Sequence, residues 1–305
     1  MKVIPITIPF PKEYGGTGKG TNAYVIKDDQ TIMIDCGLDS QENRNFIKKA
    51  LESIGSWKLD AILFTHGHVD HFGLGAYLQN ETGAEIMVHE SDAIMLEDYK
   101  AYISGWFKEL YAPAIEGGYN EIDLNEARLR LTMVADMMRA PKKFTPFKDL
   151  NIELKGGSIK TIHLPGHTAG SVGYILGENV FSGDSAIEGT TNVMNLKDEL
   201  LSLQKLKIFK QIFTGHGRAP LQSVDIETIE SHFVARLDDV LRATMKGSTL
   251  REIVGAINPG IIGTSSKPHR LILPINQVLA YLKYLEAEGH IVKQRGKWLS
   301  FSDHI

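Results

Sequence analysis

Residues 62–75 read ILFTHGHVDHFGLG, and within them His66, His68, Asp70 and His71 form H-x-H-x-D-H directly after an apolar run. Four metal-capable side chains in six residues constrain the fold more than any other feature of the chain. The run DAILFT reads as a short buried strand. Its extended end turns His66 and His68, two residues apart, to the same side. FGLGAYLQNETG reads as the helix that follows, with Asp70 and His71 presented from the first turn. Imidazole nitrogens bind zinc at about 2.0–2.1 Å and carboxylate oxygens at about 2.0–2.2 Å. A catalytic zinc keeps one position open, so four ligands exceed what one metal needs and point to two.

Three further candidates sit at strand ends: His167 in LPGHTAGS, Asp184 in FSGDS and His216 in FTGHG. Each follows an apolar, β-branched run and has a glycine beside it, which lets backbone approach closely and side chains converge. A lone GD or GH pair is common. Their shared placement is what makes them a set.

Around these motifs, YVIKDDQTIMIDCG reads as a hairpin and SQENRNFIKKALESIG as a helix with a serine cap and a glycine stop. Residues 91–146 lack long strands. Tyr99, Tyr102, Ile103, Trp106, Phe107 and Leu110, then Leu131, Val134, Met137 and Met138, recur at helical spacing, so a helical insertion is expected. Such a face either packs on itself or walls an apolar ligand pocket. From Ile152 to Phe213 the signals are those of strands: IELKGG, IKTIHLPG, SVGYILG, NVFSGD and QIFTG. After Gly217 three helices are expected, in DIETIESHFVARLDDVLRAT, STLREIVGAI and PINQVLAYLKYLEAEG. A hairpin around Arg295-Gly296 closes the series, which is the element order of a winged helix.

The ordered set His66/His68/Asp70/His71, His167, Asp184 and His216 resembles the metallo-β-lactamase-fold hydrolases over roughly residues 1–220. The resemblance implies an α+β architecture, an αββα sandwich of two sheets between helices with metals at one sheet edge. Carried over by motif, His66, His68 and His167 would hold one metal, Asp70, His71 and His216 the second, and Asp184 would bridge both. Two zinc ions are the first expectation, with iron or manganese compatible with the same ligands. Metals about 3.5–4 Å apart share a hydroxide that is a nucleophile at neutral pH. Asp70 would also orient that nucleophile or shuttle a proton. The flavodiiron branch has a glutamate where His68 stands, which argues against an O₂- or NO-reducing enzyme. True β-lactamases generally lack the bridging aspartate, which argues against a β-lactam substrate.

The seven-ligand set is shared by thioesterases such as glyoxalase II, by lactonases and by nucleases. A binuclear hydrolase of a carboxylic ester, thioester or lactone is expected, because the aromatic insertion suits an acyl chain. An RNA phosphodiesterase is the alternative, supported by RAPKK at 139–143. A third possibility is a non-catalytic, ligand-sensing regulator that binds nucleic acid. QVLAYLKYLEAEGHIVKQRGKW resembles the winged-helix end of the lactamase-β-like proteins of animals, so residues 221–305 are expected to form a winged-helix-like domain after a catalytic domain at 1–220. From Asp225 onward ten bases face nine acids, a poor balance for counterion-driven binding to nucleic acid. Lys293, Arg295 and Lys297 form the one basic wing. A structural or site-covering role is favoured there, and an exposed winged helix would offer a homodimer contact.

The chain of 305 residues with a net charge of −4 has no global attraction to nucleic acid or anionic membranes. Its single cysteine, Cys36, excludes an intrachain disulfide and reads as a packed small hydrophobe. The prolines and charges of MKVIPITIPFPKEYGG do not read as a signal peptide, and no run is long enough to span a bilayer, so a cytoplasmic protein is expected. His163 is expected to be structural, while His89, His232, His269, His290 and His304 have no partner pattern. TGKG at 17–20 lacks the spacing of a phosphate loop.

Overall fold

The structure, a computed structural model, describes residues 1–11, 20–259 and 271–301. Thr17–Lys19 of TGKG lie outside the described residues, as do Lys267, His269, Arg270, Asp303 and His304. The described chain falls into two compact units. One comprises Met1–Tyr99, Met138–Thr191 and Asp198–Ile229; the other comprises Lys100–Met137, Asn192–Lys197 and Glu230–Ile305.

The first unit is built on two sheets. One runs β1 (Lys2–Ile8), β2 (Thr21–Lys27), β3 (Thr31–Ile34), β4 (Ala61–Leu63), β5 (Glu85–His89) and β6 (Thr145–Phe147), in that order. β1 to β3 pair antiparallel and β3 to β6 parallel. Both edge strands carry a proline, Pro5 and Pro146, and an edge is where a missing N–H leaves no ladder bond broken. The second sheet runs β11 (Gln211–Thr214), β10 (Asn179–Gly183), β9 (Val172–Leu176), β8 (Gly157–His163) and β7 (Asn151–Leu154).

These sheets bury their facing sides against each other. Tyr24, Ile26, Ile32, Ile34 and Leu63 from one meet Leu154, Ile159, Val172, Tyr174, Leu176 and Phe181 from the other in a single core. The β-branched residues that give these strands their propensity are thus the ones that fill the sandwich. Helix α1 (Gln41–Ser53) starts at Ser40, whose hydroxyl accepts from Asn43 N at 3.0 Å, and buries Ile47 and Leu51. Short α2 (Val69–Phe72) and α3 (Gly75–Thr82) follow β4, and α4 (Ala93–Glu97) follows β5. Residues 152–213 are not all strand: Leu196–Leu206 forms a helix, α7, between β10 and β11. Its Leu196, Leu203 and Leu206 are buried at helical spacing.

The second unit holds most of α5 (Tyr99–Glu116), with α6 (Glu121–Met137), the C-terminal part of α8 (Ser223–Thr244), α9 (Leu250–Ile257), α10 (Ile272–Ala287) and the hairpin β12 (Ile291–Gln294)–β13 (Lys297–Ser300). The expected helical insertion therefore groups with the C-terminal helices, which a division at residue 220 does not convey. Thr249 and Glu252 form a capping box at the start of α9. The hairpin turn places Arg295 at φ 49° and Gly296 at φ 75°, the pair of positive φ values that a two-residue turn requires. Ser248 bridges to Trp298 of β13, and Lys293 of β12 pairs with Glu116 at 2.6 Å. No helix among the described residues is long and apolar enough to cross a membrane.

Tyr174 ties the sandwich at its centre: it is fully buried and its hydroxyl donates to Phe64 O at 2.7 Å. Tyr174→Phe leaves that carbonyl without its donor and should cost about 1–3 kcal/mol in urea unfolding, with an unchanged m-value. An unchanged midpoint would show that this bond contributes nothing net.

Candidate metal centre

Strand direction gathers the candidates at one edge of the first unit. β9 is antiparallel to both β8 and β10, and β11 is parallel to β10, so β8, β10 and β11 run the same way. Their C-terminal ends lead to His167, Asp184 and His216, and the end of β4 leads to His66 and His68. Asp70 and His71 are in α2, the turn of helix after that strand. All seven candidates meet there.

The atoms that face one another form two groups. His68 Nδ1 lies 3.1 Å from His66 Nε2 and 2.9 Å from His167 Nε2. His216 Nε2 lies 3.2 Å from His71 Nε2 and 3.1 Å from Asp70 Oδ2. Asp184 reaches both groups: Oδ2 is 3.8 Å from His167 Nε2 and 3.4 Å from His216 Nε2, while Oδ1 is 3.4 Å from His71 Nε2. His66, His71 and His167 are buried, and the Asp184 side chain is 9% exposed against 26% for Asp70.

These spacings fit metal ions. Two ligand atoms held at about 2.0–2.2 Å around a tetrahedral ion lie about 3.3–3.6 Å apart, the middle of the observed range. Asp184 Oδ1 is buried and makes no hydrogen bond, an arrangement that is costly for a carboxylate oxygen unless a cation faces it. Among the described residues, His66, His68 and His167, then His66, His71 and Asp184, then Asp70, His71 and His216 form groups able to hold a metal.

The outer partners of the imidazoles set which nitrogen is free. His216 Nδ1 lies 2.9 Å from Gly20 O, which can only accept, so Nδ1 carries the proton and Nε2 offers its lone pair. His71 Nδ1 donates to Asp35 Oδ2 at 2.8 Å. Thr65 Oγ1 donates to Asp35 at 2.8 Å, which leaves its oxygen to accept from His66 Nδ1 at 3.1 Å. His167 Nδ1 meets Thr191 Oγ1 at 3.1 Å.

Two carboxylates outside the seven hold this arrangement, and neither stands out in the sequence. Asp35, in the left-handed region at φ 55°, also accepts from Thr65 N at 2.9 Å and so joins the end of β3 to the loop after β4. Fully buried Asp92 accepts from Gly67 N at 2.8 Å and from Thr168 Oγ1 and Gly170 N at 2.7 Å each, which joins the two histidine loops. The one signal for Asp35 is an acid directly after an apolar strand, in IDCG. Gly215 is required as well, because a Cβ there would collide with Asp184 Oδ1 and the His71 ring. Glu199 of α7 is buried against Gly166, and burial pushes its carboxyl well above the usual carboxylate range.

The electrostatics divide the imidazoles. Burial, then the neighbouring His71, pushes His66 well below the ordinary histidine range, and burial with His167 lowers His68 to about 3. Burial opposes charge on His71 and His216 as well. There the carboxylates win: Asp184, Asp35 and Asp70 raise His71 to about 10, and Asp184 with Asp70 raises His216 to about 12. Asp70 and Asp184 are held below the usual carboxylate range by His71 and His216, against burial.

The remaining candidates lie outside this cluster. Cys36 is buried, donates weakly to His71 O at 3.3 Å, and is pushed well above the ordinary thiol range by burial, so it is a packed thiol. His89 stacks on His163 at 4.5 Å, and His163 Nε2 bonds Ala169 O at 2.8 Å.

A match to the metallo-beta-lactamase superfamily spans residues 16–216. The chain is 24% identical over 215 residues to a probable metallo-hydrolase of Methanocaldococcus jannaschii, covering 66% of this chain and 90% of that protein. It is 27% identical over 218 residues to the hydroxyacylglutathione hydrolase GloC of Haemophilus influenzae, covering 64% and 85%. Its fold resembles a metallo-beta-lactamase family protein of Thermus thermophilus, with a TM-score of 0.78 at 21% identity over 98% of both chains.

Metal ions compete with the protons that the carboxylates hold on His71 and His216. Metal uptake at pH 7.5 should therefore release at least one proton per chain, and affinity should fall as pH is lowered. Titration calorimetry in buffers of different ionisation enthalpy measures this, and proton-neutral uptake would contradict the pairing. Asp35→Ala and Asp92→Ala should each weaken metal binding about 10–100-fold in chelator competition. Wild-type affinity in either variant would remove that residue from the centre.

Proposed function

This chain belongs to the metallo-beta-lactamase superfamily, and we propose that it is a binuclear metal-dependent hydrolase of a carboxylic ester, thioester or lactone. The observation that carries the proposal is Asp184, whose carboxylate lies within reach of nitrogen ligands from both groups, His167 in one and His71 and His216 in the other. His66, His68 and His167 would hold one metal, Asp70, His71 and His216 the other, with Asp184 shared. Two metals, zinc first and iron or manganese on the same ligand chemistry, would acidify water to give a nucleophile at neutral pH and polarise the acyl oxygen.

The chain's own groups do the rest. Asp35 and Gly20 O keep the Nδ1 protons of His71 and His216 in place, so that both rings stay oriented for ligation. Asp70 is the more exposed of the two carboxylates, which suits it to take a proton from the attacking water and give it to the leaving group. Thr191 and Thr65 fix the rings of His167 and His66.

Charge placement supports an acyl substrate over a polyanion. Lys142 and Lys143 line a cleft with Gln79, Glu85 and Glu97, and Glu85 opens β5. β5 is parallel to β4, so that cleft is at the N-terminal ends of these strands, opposite the ligands. In the C-terminal region Lys293 pairs with Glu116 and Arg242 with Asp239, while Arg251 bonds Gly118 O. Engaged bases favour a scaffold role for this winged-helix-like segment. The similarity to a hydroxyacylglutathione hydrolase adds weight to thioesters.

Purified protein should bind two metals per chain and turn over a thioester or lactone in a panel that includes a β-lactam, a phosphodiester and RNA. Asp70→Asn should lower kcat by about 10²–10⁴-fold with a smaller change in KM. Activity on RNA alone, lost in Asp184→Ala, would overturn the substrate class.

A further inference from the structure

The outer face of α6 carries an apolar row that nothing in the hydrolase reading uses. Ile122, Leu129 and Met133 are 78%, 61% and 58% exposed. Their spacings of seven and eleven residues are close to two and three helical turns, so the three side chains form one stripe. Leu124, Ala127 and Ala135 are buried on the opposite side of the same helix. Single exposed aliphatics are ordinary on a protein surface, whereas three large ones aligned on one face of a helix suit an interface.

The charges beside the stripe identify what fits it. One flank is taken by α5, through Tyr111 Oη to Glu121 Oε1 at 2.9 Å and Lys100 Nζ to Asp136 Oδ1 at 2.6 Å. By helical phase, Glu126 and Arg130 lie along the other flank, 4.0 Å apart within the chain and about half exposed. The stripe and this pair share one midpoint, near Arg128. A two-fold axis there would run a second α6 antiparallel to the first, seat Ile122 against Met133 of the copy, and set the Leu129 side chains against each other. The same rotation sets Glu126 opposite Arg130 of the copy, twice, with the helix dipoles opposed.

We propose that α6 is a self-complementary surface through which two copies of this chain associate. A single helix pair is at the small end of specific interfaces, below roughly 1,200 Å² in total, so the dimer is concentration-dependent. The proposal does not depend on the hydrolase reading.

Sedimentation velocity of the full, metal-loaded chain tests it. The mass should rise from the monomer's 33.8 kDa towards twice that value as concentration increases from about 1 to 100 μM. Leu129→Glu should weaken association about tenfold or more with an unchanged circular dichroism spectrum. Glu126→Arg should weaken it as well, and adding Arg130→Glu should restore it, because the swapped pair is again complementary. This rescue keeps the test sharp if the Leu129 variant misfolds. A monomer at every concentration, or a dimer indifferent to Leu129→Glu and to the charge reversal, overturns the proposal.

Discussion

Five imidazoles and two carboxylates gathered at one sheet edge, each with another candidate ligand atom within about 4 Å and four of the seven buried, are the constraint on which the rest of this chain depends. Ring nitrogens face one another across 2.9–3.2 Å, and His68 Nδ1, which meets two other ring nitrogens, has at most one hydrogen to share between them. Only ligands that cannot relax away can be held so. The structure supplies that rigidity by giving His66, His71, His167 and His216 an outer partner at Nδ1, so the facing nitrogen is fixed before any ion binds.

The outer partners also explain how two sheets act as one support. Asp35 ends β3 yet takes hydrogens from Thr65 and His71, beyond β4. Asp92 follows β5 yet binds loops carrying histidines from both sheets. Asn22 at the start of β2 donates to Thr214 O and Gly217 O around His216, and Thr21 donates to Asp70 O. Each bond crosses between elements far apart in the chain. A disturbance at one sheet end is therefore transmitted to ligands contributed by the other.

The legibility of these features in the sequence follows their range. H-x-H-x-D-H is readable because a strand end and a first helical turn fix the directions of neighbouring side chains locally. Asp35 and Asp92 are not, because what defines them is a bond to a residue 25–78 positions away. Helix α7 is obscured by the strand motifs on either side, although Leu196, Leu203 and Leu206 carry helical spacing. The α6 stripe escapes for a related reason: its apolar residues look like core until burial shows Leu124 and Ala127 filling that role.

By itself the sequence determined the candidate ligand set, its order and the strands that end in it, since side-chain chemistry and short-range periodicity need no partners. It also determined the family-like α+β sandwich and the helix-and-hairpin order of the C-terminal region. Tertiary structure alone decided that the seven side chains converge, that Asp184 faces both groups, and that the helical insertion groups with the C-terminal helices. Convergence depends on strand direction and sheet order, and these are set by burying two apolar faces against each other.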